Sequence, residues 1–573
     1  MLKRITEFSL INFRIGNWSA IACLFVFSLL LIGPAAYFGI PENYDLGQHL
    51  RFARTYFDAF SNGTLLPSWG AADNNGFGSV GVRFYPPLAH MVMGVIQFGS
   101  HSWYDTLWLS MLLWMFVACC GTYFLAKEWL TPNQALLTAL LYAIVPYHLL
   151  QVFQAFLLAE FVGAAILPFC FLYAYRVVKR GQWIDSLLFA AAFSALILSH
   201  IPSTIMGSIS LGVFVLCLLN RDSLLRTVTR FAAAFALSLA TTAFYWLRMV
   251  TELAWVKHNT SEYYAAGFYN YSTYFFPMFL NSREVYIQRF LWLLDTCIVL
   301  TYTLFIPIIV VAIINRRKAK DSSERHIFAL SATGLFALFM MSSASTFLWN
   351  NISFIQKLQF PYRWLGPASL MASLLFPIGV IKLIKRQTKV TRPLAYSLAL
   401  IFTLVMIFDV TQIVVPSAPI PREEIAKLVD SINVQPGCEC WWPIWGKNDA
   451  LKNAEKVTVN GRSYSVEQWD ATERQFTLTA GTAGNVRIAT FYYPRWTANV
   501  NGQPANVEKA DDGSILIAVP EQASNVSLSF RETDGILASR IISLIGWFFL
   551  IGGLILLIVR RKRSNIPAEI VLE

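Results

Sequence analysis

An acidic and an imidazole side chain stand four residues apart near the start of the chain, at Asp45 and His49. On a helix this spacing places both side chains on one face. A carboxylate beside an imidazole suits the abstraction of a proton from an alcohol. The alternative is that Asp45 only caps the helix that follows it. The spacing therefore makes Asp45 a candidate base tuned by His49, with the helix cap as the simpler role.

Four further ionisable residues stand at the ends of apolar blocks: Glu160, His200, Glu252 and Arg363. Ionisable groups are costly to bury near lipid, and function is the usual reason for keeping them there. Arg363 is suited to a phosphate, because its planar guanidinium contacts two oxygens and stays charged. Each residue alone is also explained as a capping or snorkelling group. Together with Asp45 they favour one shared site.

The loops between these blocks add weaker candidates. Arg83 and Tyr85 close the first long polar loop, and we predict that they contact a substrate or its phosphate. Lys257 follows Glu252 and is a further possible helper, although a general role at the lipid boundary explains Arg83 and Lys257 as well. Two acidic residues lie within or near spans at 295 and 409, and we expect structural roles for both.

The composition requires a membrane protein. Of 573 residues, 56% are hydrophobic and only 14% are charged, whereas a soluble globular chain carries about 25% charge. A soluble enzyme and a disordered chain are therefore excluded. The net charge of +11 is explained by the excess of Lys and Arg in cytoplasmic loops of membrane proteins, so it does not indicate a nucleic-acid partner.

Twelve apolar blocks of about 20 residues are long enough to cross a bilayer as helices. They lie at about 18–40, 105–126, 134–149, 157–177, 183–200, 203–219, 229–248, 291–314, 327–348, 364–383, 394–414 and 537–559. Residues 86–100 are apolar but only about fifteen long, which is typical of a re-entrant or interfacial segment.

Basic clusters orient these spans. They begin at Lys3, Arg176, Arg221, Arg316, Lys382 and Arg560, and from Arg176 onward two spans separate consecutive clusters. All six clusters can then lie on the cytoplasmic side. This predicts a multi-pass protein of the bacterial cytoplasmic membrane with both termini inside. The segments 41–85, 249–290, 349–363 and 415–536 would lie outside.

The sequence divides into a membrane domain (1–416), a mainly-β domain (417–536) and a last span with a basic tail (537–573). A short amphipathic helix from Pro421 to Val434 opens the β domain, and alternating strands follow from Lys456. Asn-Gly pairs at 460–461 and 501–502 predict type I′ hairpin turns. Seven or so short strands predict a small antiparallel sandwich.

Cys438 and Cys440 are separated by one residue. A disulfide across one residue is strained, and the pair lacks two further zinc ligands. We therefore expect two ordinary thiols and no metal site there.

Several motifs resemble those of one group of bacterial membrane proteins, the YfhO-like group together with the pyruvoyl-tetrahydropterin-synthase-related membrane proteins. The similarity rests on the first-loop pattern Tyr-Asp-x-x-x-His, Gly-x-Leu-x-Pro-x-Trp, Asn-x-Gly-Phe-Gly and Phe-Tyr-Pro-Pro-Leu (residues 44–88), on Pro146-Tyr147-His148 with Ala159-Glu160, on Ser199-His200, on Phe360-Pro361-Tyr362-Arg363, and on the segment from Phe491 to Gly502. It extends over nearly the whole chain.

That group is placed within or close to the GT-C glycosyltransferases. The resemblance implies a multi-span enzyme that moves a sugar from a polyprenyl-phosphate-linked donor to a lipid, glycan or protein acceptor outside the membrane. It also implies that Asp45 serves as the base or orients the acceptor, and that basic residues at span ends hold the carrier phosphate. The chain departs from the pattern in two places. Gln154 stands where an Arg is frequent, and Asp45 stands with His49 rather than with a second acidic residue.

The resulting hypothesis is direct inverting transfer. Asp45 would take the acceptor proton, and Arg363 with His200 would stabilise the leaving phosphate. Glu160 and Glu252 would orient the acceptor or bind a divalent cation. A lipid or sugar transporter (a flippase) and a non-catalytic assembly scaffold remain alternatives. The polar groups gather at one face, whereas the sites of transporters lie near the bilayer midplane.

Overall fold

The computed structural model describes residues 16–42, 45–260, 270–281, 287–315, 324–385, 390–415, 418–432 and 434–564. A bundle of long apolar helices carries shorter helices and loops at one end. A two-sheet β domain packs against these loops and precedes the last long helix.

The described helices follow one another along the chain as α1 Asn17–Tyr37, α2 Leu46–Ser61, α3 Gly81–Phe84, α4 Leu88–Ser100, α5 Trp103–Ala126, α6 Pro132–Ala143, α7 Pro146–Phe153, α8 Leu158–Arg180, α9 Trp183–Ile197, α10 Ile201–Leu218, α11 Leu224–Thr241, α12 Ala243–Glu252, α13 Met278–Asn281, α14 Gln288–Leu304, α15 Ile306–Asn315, α16 Arg325–Met341, α17 Thr346–Asn351, α18 Ser353–Gln356, α19 Leu365–Lys385, α20 Thr391–Val414, α21 Arg422–Ser431 and α22 Asp534–Ser564.

All twelve apolar blocks contain a helix, but fewer helices have the length of a span. Nine stretches of the described chain are long and apolar enough to cross a membrane, or ten if α6 and α7 form one span. The block at 134–149 is broken, because Pro146 starts α7 and the two helices bend by 42°. Helices α9 and α16 have 15 and 17 residues. The count of twelve full spans is therefore not confirmed.

The predicted re-entrant segment is α4, a helix of 13 residues. At 1.5 Å per residue it is about 20 Å long, which is too short to cross the hydrocarbon core alone. It packs between α2 of the loop layer and the long helix α5.

Basic residues meet at the end of the bundle away from the loop layer. Arg176 and Arg180 at the end of α8 bond Glu128, which follows α5. Trp129 stacks on His326 at the start of α16, and Lys382 near the end of α19 pairs with Glu324. The clusters at 3–14 and 316–320 lie outside the described residues. The cytoplasmic placement of this end stays a prediction.

The β domain consists of two antiparallel sheets. The four-stranded sheet has the order β3-β6-β10-β9 and the five-stranded sheet the order β4-β5-β11-β7-β8. Their strands are β3 Val457–Thr458, β4 Tyr464–Trp469, β5 Glu473–Leu478, β6 Gly484–Phe491, β7 Trp496–Val500, β8 Gln503–Ala505, β9 Glu508–Lys509, β10 Ser514–Val519 and β11 Ser524–Phe530. Apolar side chains of both sheets share one core, so the predicted sandwich is confirmed.

The two Asn-Gly pairs have different outcomes. Asn501 and Gly502 have φ of 52° and 77° and join β7 to β8, as a type I′ hairpin turn requires. At the other pair only Gly461 has a positive φ, and the strands on either side belong to different sheets. The prediction of a hairpin at 460–461 is wrong, because the turn connects the two layers of the sandwich.

Several contacts join the β domain to the rest of the described chain, among them a short strand pair and a shared apolar core. The chain after α1 forms β1 (Ile40–Pro41), which pairs with β2 (Pro419–Ile420) after α20. The first loop contributes Trp69 and Phe77 to the core of the sandwich, where both are fully buried. The first loop and the β domain therefore fold as one packed unit.

Gly78 makes this packing possible. Its φ is +82°, and a Cβ there would lie 2.0 Å from the indole of Trp69. Gly78→Ala should lower the unfolding temperature by several degrees, because strain and overlap add. Gly63→Ala is the control, since Gly63 has φ +71° but no atom within 4 Å of a built Cβ. Thermal unfolding in detergent measures both variants. Equal effects would contradict the packing argument.

Candidate functional site

Asp45 lies at the N-terminal end of α2 but does not cap it. Its side chain accepts no hydrogen bond from the helix backbone. The carboxylate is half-buried and has no hydrogen-bond partner among the described residues. Burial raises its pKa to about 6, against the opposing charge of Arg363 and with the added repulsion of Glu160. The capping alternative is therefore wrong, and the carboxylate lies within electrostatic reach of both residues.

Arg363 forms a buried ion pair with Glu160, across 203 positions of sequence. Arg363 Nε donates to Glu160 Oε2 at 3.1 Å, and Nη1 donates to the Leu358 carbonyl at 2.9 Å and to Gln359 Oε1 at 2.6 Å. Arg363 Nη2 has no acceptor in the described chain. The guanidinium is thus fixed through two nitrogens and keeps one edge available.

Glu160 is held from several sides. Tyr147 donates its hydroxyl to Oε1, and Gln151 Nε2 donates to the same oxygen at 3.2 Å. Oε2 is taken by Arg363. Because both oxygens have donors, Glu160 fixes Arg363 and is not free to orient an acceptor or to bind a cation.

His200 lies beside this ion pair. It is buried at the N-terminal end of α10, within electrostatic reach of Arg363 and His49. Its Nδ1 accepts a hydrogen bond from the backbone N–H of Ser203 at 3.3 Å. In the neutral ring the proton is then on Nε2, which can donate to an anion.

His49 pairs with another histidine rather than with Asp45. Its Nδ1 lies 2.9 Å from His90 Nε2, and the two rings stack. Burial and the neighbouring His90 hold the pKa of His49 well below its usual value. The ring is therefore neutral at pH 7. His49 follows Asp45 by one turn of α2, but its ring partner is His90 and not the Asp45 carboxylate.

Aromatic rings close this side of the site. Tyr85 contacts the rings of His49, His90 and Trp441 at centroid distances of 5.8, 5.3 and 5.5 Å. Tyr85 also interacts electrostatically with Arg363. Trp441 belongs to the segment that enters the β domain, so this domain contributes to the wall.

A narrow pocket extends from the ion pair between α8, α10 and α19. It is lined by Gln151, Glu160, Gly163, Ser203, Arg363 and Gly366, among others. The buried Oε1 of Gln151 has no donor in the described chain. The pocket has room for about one water molecule, so a sugar or phosphate can enter only after the walls move.

Arg83 and Glu252 lie in a second buried cluster, not in the Arg363 site. Arg83 Nη2 donates to Glu252 Oε2 at 2.6 Å, and Arg83 Nη1 donates to Glu532 Oε1 at 2.8 Å. Glu252 also accepts from Tyr493 and Arg495, each at 2.8 Å. Both Glu252 oxygens are taken, which leaves no role for Glu252 in orienting an acceptor or holding a cation.

Glu532 anchors the other side of this second cluster. It accepts from Arg248 at 2.9 Å and from Arg540 at 3.3 Å. Burial opposes its charge, but the hydrogen bond and charge of Arg83 and the charge of Arg248 outweigh burial and lower the pKa of Glu532 to about 2. The cluster joins the first loop, α12, the β domain and α22.

The weaker candidates take structural positions. Lys257 pairs with Glu439 and lies 5.3 Å from the centre of the Trp442 ring. Asp295 accepts the backbone N–H groups of Met278 and Phe279, which agrees with the structural role expected for it. The Asp409 carboxylate is buried and has no hydrogen-bond partner in the described chain, and the structural role expected for it stays a prediction.

Cys438 and Cys440 form a disulfide. The expectation of two thiols is wrong. The pair lies in the segment between α21 and the sandwich, where Cys438 N–H donates to Gln48 of the first loop at 3.3 Å. No group of three or more His, Cys, Asp or Glu positioned for a metal occurs among the described residues.

Comparison with known proteins identifies the family. Residues 82–417, more than half of the chain, match the family model of the 6-pyruvoyl-tetrahydropterin synthase related domain. This is a family of membrane proteins. The chain belongs to this family. No protein of curated function matched the sequence.

Two solved structures are similar to this chain. The arabinofuranosyltransferase AftD from Mycobacteria is 14% identical with a TM-score of 0.41, and the match covers 71% of this chain. It covers 27% of the AftD chain, so the present chain spans about a quarter of that protein. ArnT from Cupriavidus metallidurans is 13% identical with a TM-score of 0.40, over 80% of this chain and 84% of ArnT.

Residues of the Arg363 site and of the second cluster that were not among the sequence candidates include His90, Gln151, Arg248, Glu532 and Arg540. Tyr147, Tyr493 and Arg495 occurred only as parts of motifs. Glu532 and Arg248 carry a signal that was available, because each is an ionisable group at the end of an apolar block. His90 and Gln151 lie within apolar helices and show no such signal.

Removing one charge from the second cluster tests whether Glu252 has a structural role rather than a catalytic one. Glu252→Gln should lower the unfolding temperature and speed proteolysis between the β domain and the bundle, because it leaves the buried Arg83 and the half-buried Arg495 with less charge compensation. Limited trypsinolysis in detergent measures this. Glu467→Gln, on an exposed strand position of β4, is the control. A stable Glu252→Gln protein would contradict the structural assignment.

Proposed function

We propose that this protein is a membrane glycosyltransferase, which moves a sugar from a polyprenyl-phosphate-linked donor to an acceptor hydroxyl of the cell envelope. One observation carries the proposal. An unpartnered, half-buried carboxylate, Asp45, lies within electrostatic reach of a buried guanidinium, Arg363, that keeps one edge free. Transfer of a sugar from a phosphate requires a base for the acceptor proton and a cationic group for the leaving phosphate. Asp45 and Arg363 are such a pair.

Asp45 is the base. Its pKa of about 6 is close to neutral pH, where a general base is most effective, because the carboxylate is ionised and still accepts a proton readily. It removes the acceptor proton while the acceptor oxygen attacks the anomeric carbon. The bond from that carbon to the phosphate oxygen breaks on the opposite face, so the configuration inverts.

Arg363 and His200 receive the leaving phosphate. Arg363 Nη2 and the Nε2–H of His200 are donors that no described acceptor occupies. In a closed, largely apolar site such donors stabilise developing negative charge far better than they do in water. Glu160, Tyr147 and Gln151 hold the arginine in place.

The donor enters by displacement of the site walls. The pocket beside Arg363 has room for about one water molecule. Tyr85, which interacts with Arg363, contacts Trp441. Trp441 comes from the β domain, so movement of the packed unit of first loop and β domain relative to α8, α10 and α19 would open the site. We place this side of the bacterial cytoplasmic membrane outside the cell, with both termini in the cytoplasm.

Asp45→Asn should reduce transfer by about 10²–10⁴-fold, the usual contribution of a positioned base. Purified protein incubated with labelled polyprenyl-phosphate sugars and an envelope extract measures the release of carrier phosphate. Asp511→Asn, an exposed carboxylate of the β domain, is the matched control and should keep full activity. Equal activity of Asp45→Asn and wild type would remove Asp45 from the mechanism.

The same assay separates the alternatives. Carrier phosphate released by the wild type supports transfer. Movement of the intact donor across the vesicle membrane without release of carrier phosphate supports a flippase. The absence of both activities supports a scaffold.

The pH profile tests the assignment of the base independently. Because Asp45 must be ionised and its pKa is raised to about 6, kcat/KM should be level near neutral pH and fall about tenfold per pH unit below 6. A profile that stays level down to pH 4.5 would assign the proton transfer to another group. Circular dichroism at each pH confirms that the fold is retained.

A further inference from the structure

A second concave site lies on the opposite face of α2 from His49. It is a groove between α2, the start of α5 and α21, with a volume of about 240 Å³. This volume is below the range of about 300–1,000 Å³ for sites that enclose a drug-sized ligand, so the groove fits a small polar group rather than a whole substrate. Its walls include Arg54, Phe57, Asp58, Trp103, Val429 and Asp430.

The groove has a fixed charge pattern. Arg54 Nη1 donates to the Val429 carbonyl near the C-terminal end of α21 at 2.9 Å, and Arg54 Nε lies 3.7 Å from Asp58. Arg54 Nη2 has no acceptor within the described ranges. The Asp58 side chain is 51% exposed, and Asp430 is exposed without a described partner. One positioned guanidinium therefore shares the groove with two carboxylates.

The groove lies at the membrane boundary. Trp103 is the first residue of α5, whose 24 residues span about 36 Å, slightly more than the hydrocarbon core of about 30 Å. Phe57 packs against Trp103 and Phe98, with ring centroids 5.8 and 4.9 Å apart. The Phe98 side chain is 44% exposed, so an apolar surface leads away from the charged groove.

We propose that this groove binds the headgroup of a zwitterionic phospholipid with a primary ammonium group, such as phosphatidylethanolamine. The phosphate contacts Arg54, the ammonium donates to Asp58 and Asp430, and the acyl chains follow Phe98 and Trp103. The three N–H donors of a primary ammonium match the carboxylate acceptors. This site is independent of the proposed transfer reaction.

The charges exclude the other common headgroups. An anionic headgroup without an ammonium group, such as that of phosphatidylglycerol, places its phosphate near two carboxylates that repel it. Its only attractive charged contact is with Arg54. The quaternary ammonium of phosphatidylcholine has no N–H to donate, so it loses the hydrogen bonds to Asp58 and Asp430. The groove should therefore discriminate among lipids of equal chain length.

Native mass spectrometry of the full chain tests this inference. The protein in detergent is titrated with an equimolar mixture of dioleoyl phosphatidylethanolamine, phosphatidylcholine and phosphatidylglycerol. We expect the first bound lipid to be phosphatidylethanolamine, at least threefold over either competitor. The double variant Asp58→Asn, Asp430→Asn should lose this preference. Glu423→Gln removes an exposed charge from α21 outside the groove and should keep it.

Each contrary outcome is decisive. Equal retention of the three lipids by the wild type, or an unchanged preference in the double variant, overturns the assignment. An oligosaccharide or peptide that co-purifies with the wild type and is lost from the double variant also overturns it. The readout involves no sugar transfer, so its result does not depend on the proposed function.

Discussion

The buried ion pair between Arg363 and Glu160 is the interaction on which the candidate site depends. A guanidinium taken out of water is tolerated only when a carboxylate and further acceptors compensate it. Here one carboxylate oxygen and two amide oxygens satisfy two of its nitrogens. The remaining edge is aimed by these bonds, and Tyr147 and Gln151 fix the carboxylate in turn. Asp45, from a distant part of the chain, then meets a preorganised positive charge.

A second buried ion cluster determines how the β domain sits on this site. Arg83 bonds Glu252 and Glu532, and these carboxylates also bond arginines of α12, the β domain and α22. The first loop belongs to both arrangements, since it carries Arg83 toward one cluster and Tyr85 toward the other. The β domain is therefore linked to the wall of the Asp45 site through two residues of the first loop, Arg83 and Tyr85.

Much of the architecture follows from local patterns in the sequence. Apolar blocks located all the long helices, and alternation with Asn501-Gly502 located the sandwich. Span lengths were less predictable. The break at Pro146 and the short helices α9 and α16 depend on how neighbours pack, which hydropathy does not report. The turn at Asn460-Gly461 failed for a related reason, because a dipeptide does not specify which sheet its flanking strands join.

The sequence identified several residues of the candidate site, but it did not show which of these residues contact one another. Ionisable residues at span ends identified Asp45, Glu160, His200 and Arg363, since the cost of burial near lipid holds wherever the chain folds. The same criterion also selected Glu252, which bonds the weaker loop candidate Arg83, 169 positions away in the sequence. Sequence spacing paired Asp45 with His49, whereas the fold pairs His49 with His90. Tertiary partners of this kind are set by packing.

Cryo-electron microscopy of the protein with a polyprenyl-phosphonate sugar, which cannot transfer its sugar, tests the central claim most directly. The account predicts the phosphonate within hydrogen-bond distance of Arg363 Nη2 and His200 Nε2, with the anomeric carbon facing Asp45. A phosphonate bound away from Arg363, or an anomeric carbon that Asp45 cannot approach through an acceptor oxygen, would contradict it.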